Sequence, residues 1–227
     1  MAGLDQLDNP DVELDVLYDL NGLAERLPGG AESVLVFVGQ RGIPAALALL
    51  LITAWALLRR RPDAAQAVAG VLWAGLAAGI AHLVNVPIRG FVARPRPVDT
   101  YPDLHVLVEG NDGHSFVSDH AGAAMAIAVA LFLVHRALGL AVFGLAVLQG
   151  FVRVMLGVHY PTDVIGGFAL GAAVALLLAP LAMAALTPLV ALCARTRGLG
   201  WIARRPAADG CPSTPRGQQT PERGLAA

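Results

Sequence analysis

Lysine is absent from this sequence of 227 residues, and all sixteen basic side chains are arginines. Charged residues of either sign make up only 15% of the chain, compared with about 25% in an average soluble domain. The formal net charge of −1 provides no extended basic surface, which argues against nucleic acid as a partner. The two cysteines, Cys193 and Cys211, lie late in the chain, and their spacing predicts neither a disulfide framework nor a metal site.

Hydrophobic residues, by contrast, make up 56% of the chain, and the mean hydropathy is +0.62. They form five apolar runs, at residues 34–58, 64–88, 121–134, 137–156 and from 164 to the 186–194 region. A membrane-spanning helix needs about 20 apolar residues, so the third run reaches that length only with the polar residues at its end, and the fourth only if its own polar residues, Gln149 and Arg153, are counted. We therefore predict an all-α integral membrane bundle with about five transmembrane helices.

The N-terminal segment, residues 1–33, is acidic and contains no long apolar run. Apolar side chains recur in it at helical spacing, at Val12, Val16, Leu20, Leu23 and Leu27. This pattern predicts a short amphipathic helix that lies on the membrane surface or on the bundle and ends at Pro28-Gly29-Gly30. The segment lacks the basic start and the early apolar core of a signal peptide.

The basic residues between the apolar runs predict which side of the membrane each loop occupies. Three clusters follow the first, third and fifth runs: Arg59-Arg60-Arg61, His135-Arg136, and Arg195, Arg197, Arg204 and Arg205. With five spans these clusters all lie on one side, which the positive-inside rule makes cytoplasmic. The N-terminal segment, the 89–117 loop and the 157–162 turn are then expected on the extracytoplasmic side.

Three domains follow from this layout. Residues 1–33 form the extracytoplasmic amphipathic segment, and residues 34–194 form the membrane domain. Residues 195–227 are rich in Pro, Gly, Gln and Arg without periodicity, so we expect a disordered cytoplasmic tail.

The loop after the second run contains Arg89, Arg94 and Arg96, with Pro95 and Pro97 restricting its backbone. Three guanidinium groups so close together suit a multidentate oxyanion such as phosphate. On this segment alone, anchoring to lipid headgroups is the favoured explanation of the same residues.

Ser118, Asp119 and His120 directly precede the third run. A hydroxyl group and free backbone amides at a helix N-terminus form an anion site, which the helix dipole reinforces. Ser118 or Asp119 could equally be a simple N-cap. An imidazole one turn inside a membrane helix is costly, which favours a functional reading of His120.

Between the fourth and fifth runs lie Arg153, His159 and Asp163, in a mostly apolar passage. A carboxylate four residues after His159 can accept the proton of one ring nitrogen and leave the other nitrogen free as a nucleophile. Arg153 can reach the same anion from the last turn of the fourth run. The alternative is an interfacial arginine with a capping aspartate.

Together, these residues resemble the three-part signature of the type 2 phosphatidic acid phosphatase superfamily: Arg89-x6-Arg96-Pro97, Ser118-x-His120 and Arg153-x5-His159-x3-Asp163. The Ser-Asp-His-Ala form of the middle motif, Tyr160 and the N-terminal helix are most similar to bacterial undecaprenyl-diphosphate phosphatases. Three positions depart from the family pattern. Arg89 stands where the family usually has Lys, Val117 where it has Pro, and Val152 where it has Ser.

The resemblance implies a metal-independent lipid phosphatase without a cofactor, in a bacterial plasma membrane. His159 would form a phosphohistidine, Asp163 would orient its ring, and His120 would protonate the leaving group. The phosphate would be bound by Arg89, Arg96, Arg153, Ser118 and the backbone amide of Asp119. Arg94 and the 98–114 loop are candidate headgroup contacts, and His82, Asn85 and Gln149 are expected to form interhelical hydrogen bonds.

The substrate stays open within this class. Undecaprenyl diphosphate fits the resemblance, and phosphatidylglycerophosphate, phosphatidate or another polyprenyl phosphate are alternatives. A different class, a non-catalytic membrane protein that binds a lipid phosphate, would explain Val117 and Val152 as marks of lost activity. No oligomeric state is predicted.

Overall fold

The computed structural model describes residues 10–108, 113–196 and 198–203, and within these ranges it contains helices and no strands. The helices are α1 (Pro10–Glu25), α2 (Gly29–Phe37), α3 (Ile43–Leu58), α4 (Ala64–Val92), α5 (Pro97–Thr100), α6 (Asp119–Val134), α7 (Arg136–Met155), α8 (Pro161–Leu177) and α9 (Ala179–Arg195). A π-helical turn, Val38–Gly42, joins α2 to α3. Most of the predicted tail, residues 195–227, lies outside the described residues, so its disorder stays a prediction.

The predicted class, an all-helical membrane protein, is confirmed. Among the described residues, three segments are long and apolar enough to cross a membrane: Gly29–Leu58, Ala64–Thr100 and Arg136–Met155. α8 and α9 pass the same test together but are bent by 54° at their junction, and α6 is a shorter apolar helix of 16 residues. The fifth predicted span is therefore a bent pair rather than one straight helix.

The short helix α6 lies at the centre of the bundle, in contact with α4, α7 and α8. Many of its side chains are small, and Ala121, Gly122 and Ala124 are almost fully buried. A Cβ atom added at Gly171 of α8 would lie 2.1 Å from the carbonyl oxygen of Gly122, so these two backbones touch. Such close packing, which small residues allow in membrane helices, holds the N-termini of α6 and α8 next to each other.

Helix α1 is docked on the bundle, against α7 and α8. Leu17 is fully buried, and the buried Asn21 side chain donates to the carbonyl oxygens of His105 and Met155, both at 3.1 Å. Of the predicted apolar stripe, Leu20 packs against the core around Leu17, whereas Val12, Val16 and Leu23 are exposed, so the stripe is only partly the face that packs. Periodicity missed the buried face because its central residue is polar and is satisfied by backbone groups far along the chain.

Three features near α3 also bear on the predictions. The π-helical turn falls at Gln40-Arg41, the polar interruption in the first apolar run. Beside it, Gln149 of α7 donates to the carbonyl oxygen of Gly39 at 2.8 Å, which confirms the interhelical hydrogen bond expected for this glutamine. Helix α1 ends at Glu25, before the predicted stop at Pro28-Gly29-Gly30, and the next helix, α2, begins within that stretch, at Gly29.

Candidate active site

The three polar motifs meet at one end of the bundle. Ser115 N donates to the carbonyl oxygen of Arg94 at 2.8 Å, which joins the arginine loop to the segment before α6. Ser118 N donates to the carbonyl oxygen of Asp163 at 3.0 Å, which joins that segment to α8. Arg96 Nη1 donates to the carbonyl oxygen of Val158 at 3.1 Å, which closes the ring of contacts. Residues separated by up to about 70 positions are thereby assembled into one site.

His159 is buried, with 2% of its surface exposed, and its Nδ1 lies 2.8 Å from the carbonyl oxygen of Ser115. A carbonyl oxygen only accepts hydrogen bonds, so this contact places the ring proton on Nδ1 and leaves the lone pair on Nε2. Burial lowers the pKa of His159 to about 4, so the ring is neutral near pH 7. A neutral ring with an unprotonated Nε2 is the form that can attack an electrophile.

The Ser115 carbonyl takes the place that we expected Asp163 to occupy. Asp163 Oδ2 lies 3.7 Å from His159 Nδ1, too far for a hydrogen bond, although close enough for a charge interaction. The spacing analysis missed Ser115 because its backbone, not its side chain, makes the contact. No pattern of residue types reports such a partner.

Asp163 is completely buried at the start of α8. Its Oδ2 accepts from the backbone amide of Tyr160 at 2.9 Å, which caps the helix, and Pro161 occupies the first turn where no amide is needed. Its Oδ1 accepts from Arg94 Nη1 at 3.0 Å. Both carboxylate oxygens are therefore held by partners other than the imidazole.

Arg94, suggested by the sequence as a headgroup contact, is surrounded by protein groups. Its Nη1 donates to Thr162 Oγ1 at 2.8 Å as well as to Asp163, and its Nη2 donates to Glu13 Oε2 at 2.8 Å. Its guanidinium carbon lies 3.6 Å from the centre of the Tyr160 ring. This arrangement points to a role within the protein, and headgroup binding by Arg94 stays untested.

Arg153 and Ser118 carry buried polar atoms that need a ligand. Arg153 is 3% exposed, and its Nε and Nη1 find no hydrogen-bond partner among the residues that the structure describes. Within the same ranges, the buried Ser118 Oγ is also without a partner. Buried polar groups in proteins are nearly always satisfied, so an arginine and a hydroxyl left open at the same end of the bundle predict an anion-binding site.

Arg96 is the second buried cation of the site, at 5% exposed. Its Nε donates to the carbonyl oxygen of Gly113 at 3.1 Å, and its Nη1 is bound to Val158. Carbonyl groups orient the guanidinium without neutralising it. Its positive charge therefore adds to that of Arg153, and both charges act to lower the pKa of the neighbouring His159.

Arg89 has a different environment, because it forms an ion pair with Asp119. Asn85 Nδ2 donates to the same carboxylate at 2.7 Å, and His82 Nδ1 lies 3.2 Å from it. His82 and Asn85 thus make the interhelical contacts that we expected. Their spacing with Arg89, at i, i+3 and i+7, placed all three on one face of α4 and could have identified Asp119 as their shared partner. Binding of phosphate by Arg89 and by the Asp119 amide stays a prediction.

A cleft of about 330 Å³ opens beside His120 and runs between α3, α4, α6 and α7. Two glutamines, Gln40 and Gln149, line it near His120. The rest of the wall is apolar and small: Pro44, Leu47, Ala48, Leu51, Gly75, Ala78, Ala123 and Ile127. His120 stands in the first turn of α6, next to Asp119, which binds Arg89, and two residues after Ser118, whose amide binds the carbonyl oxygen of Asp163. The cleft therefore connects the polar site to the apolar interior of the bundle.

Comparison with known proteins identifies the class. Residues 70–187 match the PAP2 superfamily, which is the superfamily that the three motifs resemble. The chain belongs to this superfamily, and it is a membrane lipid phosphatase.

Two relatives of known activity are similar to this chain in sequence. The undecaprenyl-diphosphatase BcrC of Bacillus subtilis is 38% identical over 138 residues, which make up 60% of this chain and 66% of that protein. The decaprenylphosphoryl-5-phosphoribose phosphatase of Mycobacterium tuberculosis is 36% identical over 172 residues, 67% of this chain and 90% of that protein.

The crystal structure of a transmembrane PAP2 type phosphatidylglycerolphosphate phosphatase from Bacillus subtilis superposes with a TM-score of 0.57 at 24% identity. The match covers 78% of this chain and 89% of that one. At this identity the likeness demonstrates a shared fold.

Inorganic phosphate should raise the melting temperature of the detergent-solubilised protein, because a ligand that binds only the folded state stabilises it. In Arg153→Gln this increase should disappear, since the neutral amide cannot replace the unpaired guanidinium. Arg136→Gln, at the opposite end of α7, serves as the control and should keep the full increase. Equal increases in the two variants, measured by thermal unfolding, would contradict the anion site.

Proposed function

We propose that this protein hydrolyses a polyprenyl diphosphate, undecaprenyl diphosphate first among them, to the monophosphate through a phosphohistidine intermediate. The observation that carries the proposal is the buried, neutral His159. Its Nδ1 is hydrogen-bonded to a carbonyl oxygen. The ring lies beside an arginine and a serine that lack partners among the described residues. A lipid phosphoryl group supplies the anion that these groups need.

In the first step, Nε2 of His159 attacks the terminal phosphorus atom, and the bond from that phosphorus to the bridging oxygen breaks. His120, protonated in the complex with the anionic substrate, donates this proton to the departing lipid monophosphate. The imidazolium of the phosphohistidine is stabilised by the Ser115 carbonyl and the nearby Asp163 charge. Arg153, with Ser118, neutralises the oxygens of the phosphoryl group as it transfers.

In the second step, water attacks the phosphohistidine and releases inorganic phosphate. His120, now neutral, takes a proton from this water and is thereby restored to its starting form. Arg96 contributes positive charge in both steps, and Arg89 supports the site through Asp119. The same residues thus serve both halves of the reaction.

The apolar lining of the cleft beside His120 supports a lipid substrate with a long, thin apolar chain. His120 protonates the leaving group, so the chain attached to that group must depart on the His120 side, where the cleft opens. The names of two relatives agree with a polyprenyl substrate, and another relative, named phosphatidylglycerophosphatase B, is 36% identical over 104 residues and keeps phosphatidylglycerophosphate as an alternative. The distribution of basic residues supports a site on the extracytoplasmic side of the membrane.

His159→Ala should abolish the release of phosphate from undecaprenyl diphosphate by the purified protein, because no other group can form the covalent intermediate. His135→Ala is the control, since that side chain lies at the opposite end of α6, where its Nδ1 accepts from the backbone amide of Leu138. Near wild-type turnover by His159→Ala would refute the mechanism.

The same assay on a panel of lipid phosphates separates the alternatives. Faster release from phosphatidylglycerophosphate or phosphatidate would reassign the substrate. A protein that binds phosphate but releases none from any lipid would be the non-catalytic binding protein.

The reaction is expected to need no metal ion, because arginines provide the charge that Mg²⁺ supplies in many phosphoryl-transfer enzymes. Turnover should therefore be unchanged after treatment with EDTA. Loss of turnover in EDTA that Mg²⁺ restores would contradict this part of the proposal. Zn²⁺ and Mn²⁺ should be tested in the same way.

A further inference from the structure

We infer that Arg94, held in place by Glu13 of α1, is a positioning residue that fixes Asp163 next to His159. Through Glu13, the N-terminal helix α1 thus contributes to the active site. The inference rests on the proposed role of His159. The inference assigns a positioning role to two residues, Glu13 and Arg94, which are not among the signature positions of the three motifs.

The contacts form a continuous chain from α1 to the imidazole. Glu13 Oε2 accepts from Arg94 Nη2 at 2.8 Å, and Arg94 Nη1 donates to Asp163 Oδ1 at 3.0 Å. The other carboxylate oxygen, Asp163 Oδ2, lies 3.7 Å from His159 Nδ1. Glu13 also binds the first turn of α8 directly, because its Oε1 accepts from the backbone amide of Thr162 at 3.2 Å. Arg94 therefore links three segments that are distant in sequence.

Arg94 provides the counter-charge for a fully buried carboxylate. An ionised carboxylate away from water is strongly unfavourable without a paired cation. His159 is neutral in this arrangement, so it does not supply that charge, and Arg94 is the cation in contact with Asp163. Keeping Asp163 ionised matters for the proposed reaction, because a positive imidazolium forms beside it during phosphoryl transfer.

The net charge around Arg94 argues against direct binding of the substrate. One guanidinium is shared between two carboxylates, those of Glu13 and Asp163, so the group carries an excess negative charge. A phosphate would be repelled from this group and attracted to Arg153, which has no carboxylate in contact among the described residues. Arg94 and Arg153 thus have separate tasks.

The geometry of Arg94 is also restricted by stacking and by the docking of α1. Its guanidinium lies over the Tyr160 ring, and the backbone amide of Tyr160 donates to Asp163. On α1, two turns after Glu13, Asn21 is bound to the backbone of His105 and Met155. These bonds prevent α1 from sliding, so Glu13 stays in register with Arg94.

Four variants test the inference: Arg94→Gln, Arg94→Lys, Glu13→Gln and, as the control, Asp15→Asn, whose side chain is exposed on the same helix. In Arg94→Gln, kcat for the lipid diphosphate should fall roughly 10- to 100-fold. This is the scale of the losses seen when a residue that orients a metal-binding histidine is removed from other proteins. Glu13→Gln should cause a smaller fall in the same direction, and Arg94→Lys should recover part of the activity. KM and the stabilisation by phosphate should stay unchanged in all four variants.

A raised KM with unchanged kcat in Arg94→Gln, together with loss of the phosphate effect, would overturn the inference and make Arg94 a substrate contact. Equal losses in Arg94→Gln and Asp15→Asn would overturn it as well. The double variant Glu13→Gln/Arg94→Gln should be no worse than Arg94→Gln alone, because the two residues act through one chain of contacts.

Hydrogen exchange at the Tyr160 amide provides a readout that does not depend on turnover. This amide should exchange faster in Arg94→Gln than in Asp15→Asn, because Asp163 would no longer be held as its acceptor. Unchanged exchange would contradict the inference even if the protein proved inactive on every lipid. Activity in the wild-type protein with no response to Arg94→Gln would leave the proposed function intact and remove only this inference.

Discussion

The site depends on the hydrogen bond between His159 Nδ1 and the carbonyl oxygen of Ser115. This bond determines which ring nitrogen carries the proton, and it can form only because the segment before α6 lies against the turn before α8. The small residues of α6 and α8 allow that approach, as the contact between Gly122 and Gly171 demonstrates. Helix packing in the membrane and the protonation state of one imidazole are therefore parts of the same arrangement.

Around this imidazole, the arginines divide into two groups according to their partners. Arg89 and Arg94 are paired with carboxylates, and each ties two or more segments together. Arg96 is oriented by carbonyl groups, while Nε and Nη1 of the buried Arg153 lack a partner within the described part of the chain. Paired cations stabilise the structure of the site, and uncompensated ones create the positive potential that an anion needs.

The sequence predicted much of this arrangement, because hydropathy and motif order carry strong signals. Long apolar runs indicated a membrane bundle, and polar residues at the ends of three runs indicated a shared site. Three features had no such signal: the Ser115 carbonyl, the reach of Glu13 to Arg94, and the buried face of α1. Each of these features depends on a backbone group or on a contact between distant segments. Such groups and contacts produce no recognisable pattern of residue types along the sequence. The bend between α8 and α9 was missed because the run is apolar on both sides of it, although Pro180 at the start of α9 marks the break.

The most direct test of the account is to trap the phosphoenzyme by rapid quenching at alkaline pH, where phosphohistidine survives, and to determine which ring nitrogen carries the phosphate. With Nδ1 bound to the Ser115 carbonyl, the phosphate should be found on Nε2 of His159. Phosphate on Nδ1, or on any residue other than His159, would contradict the account.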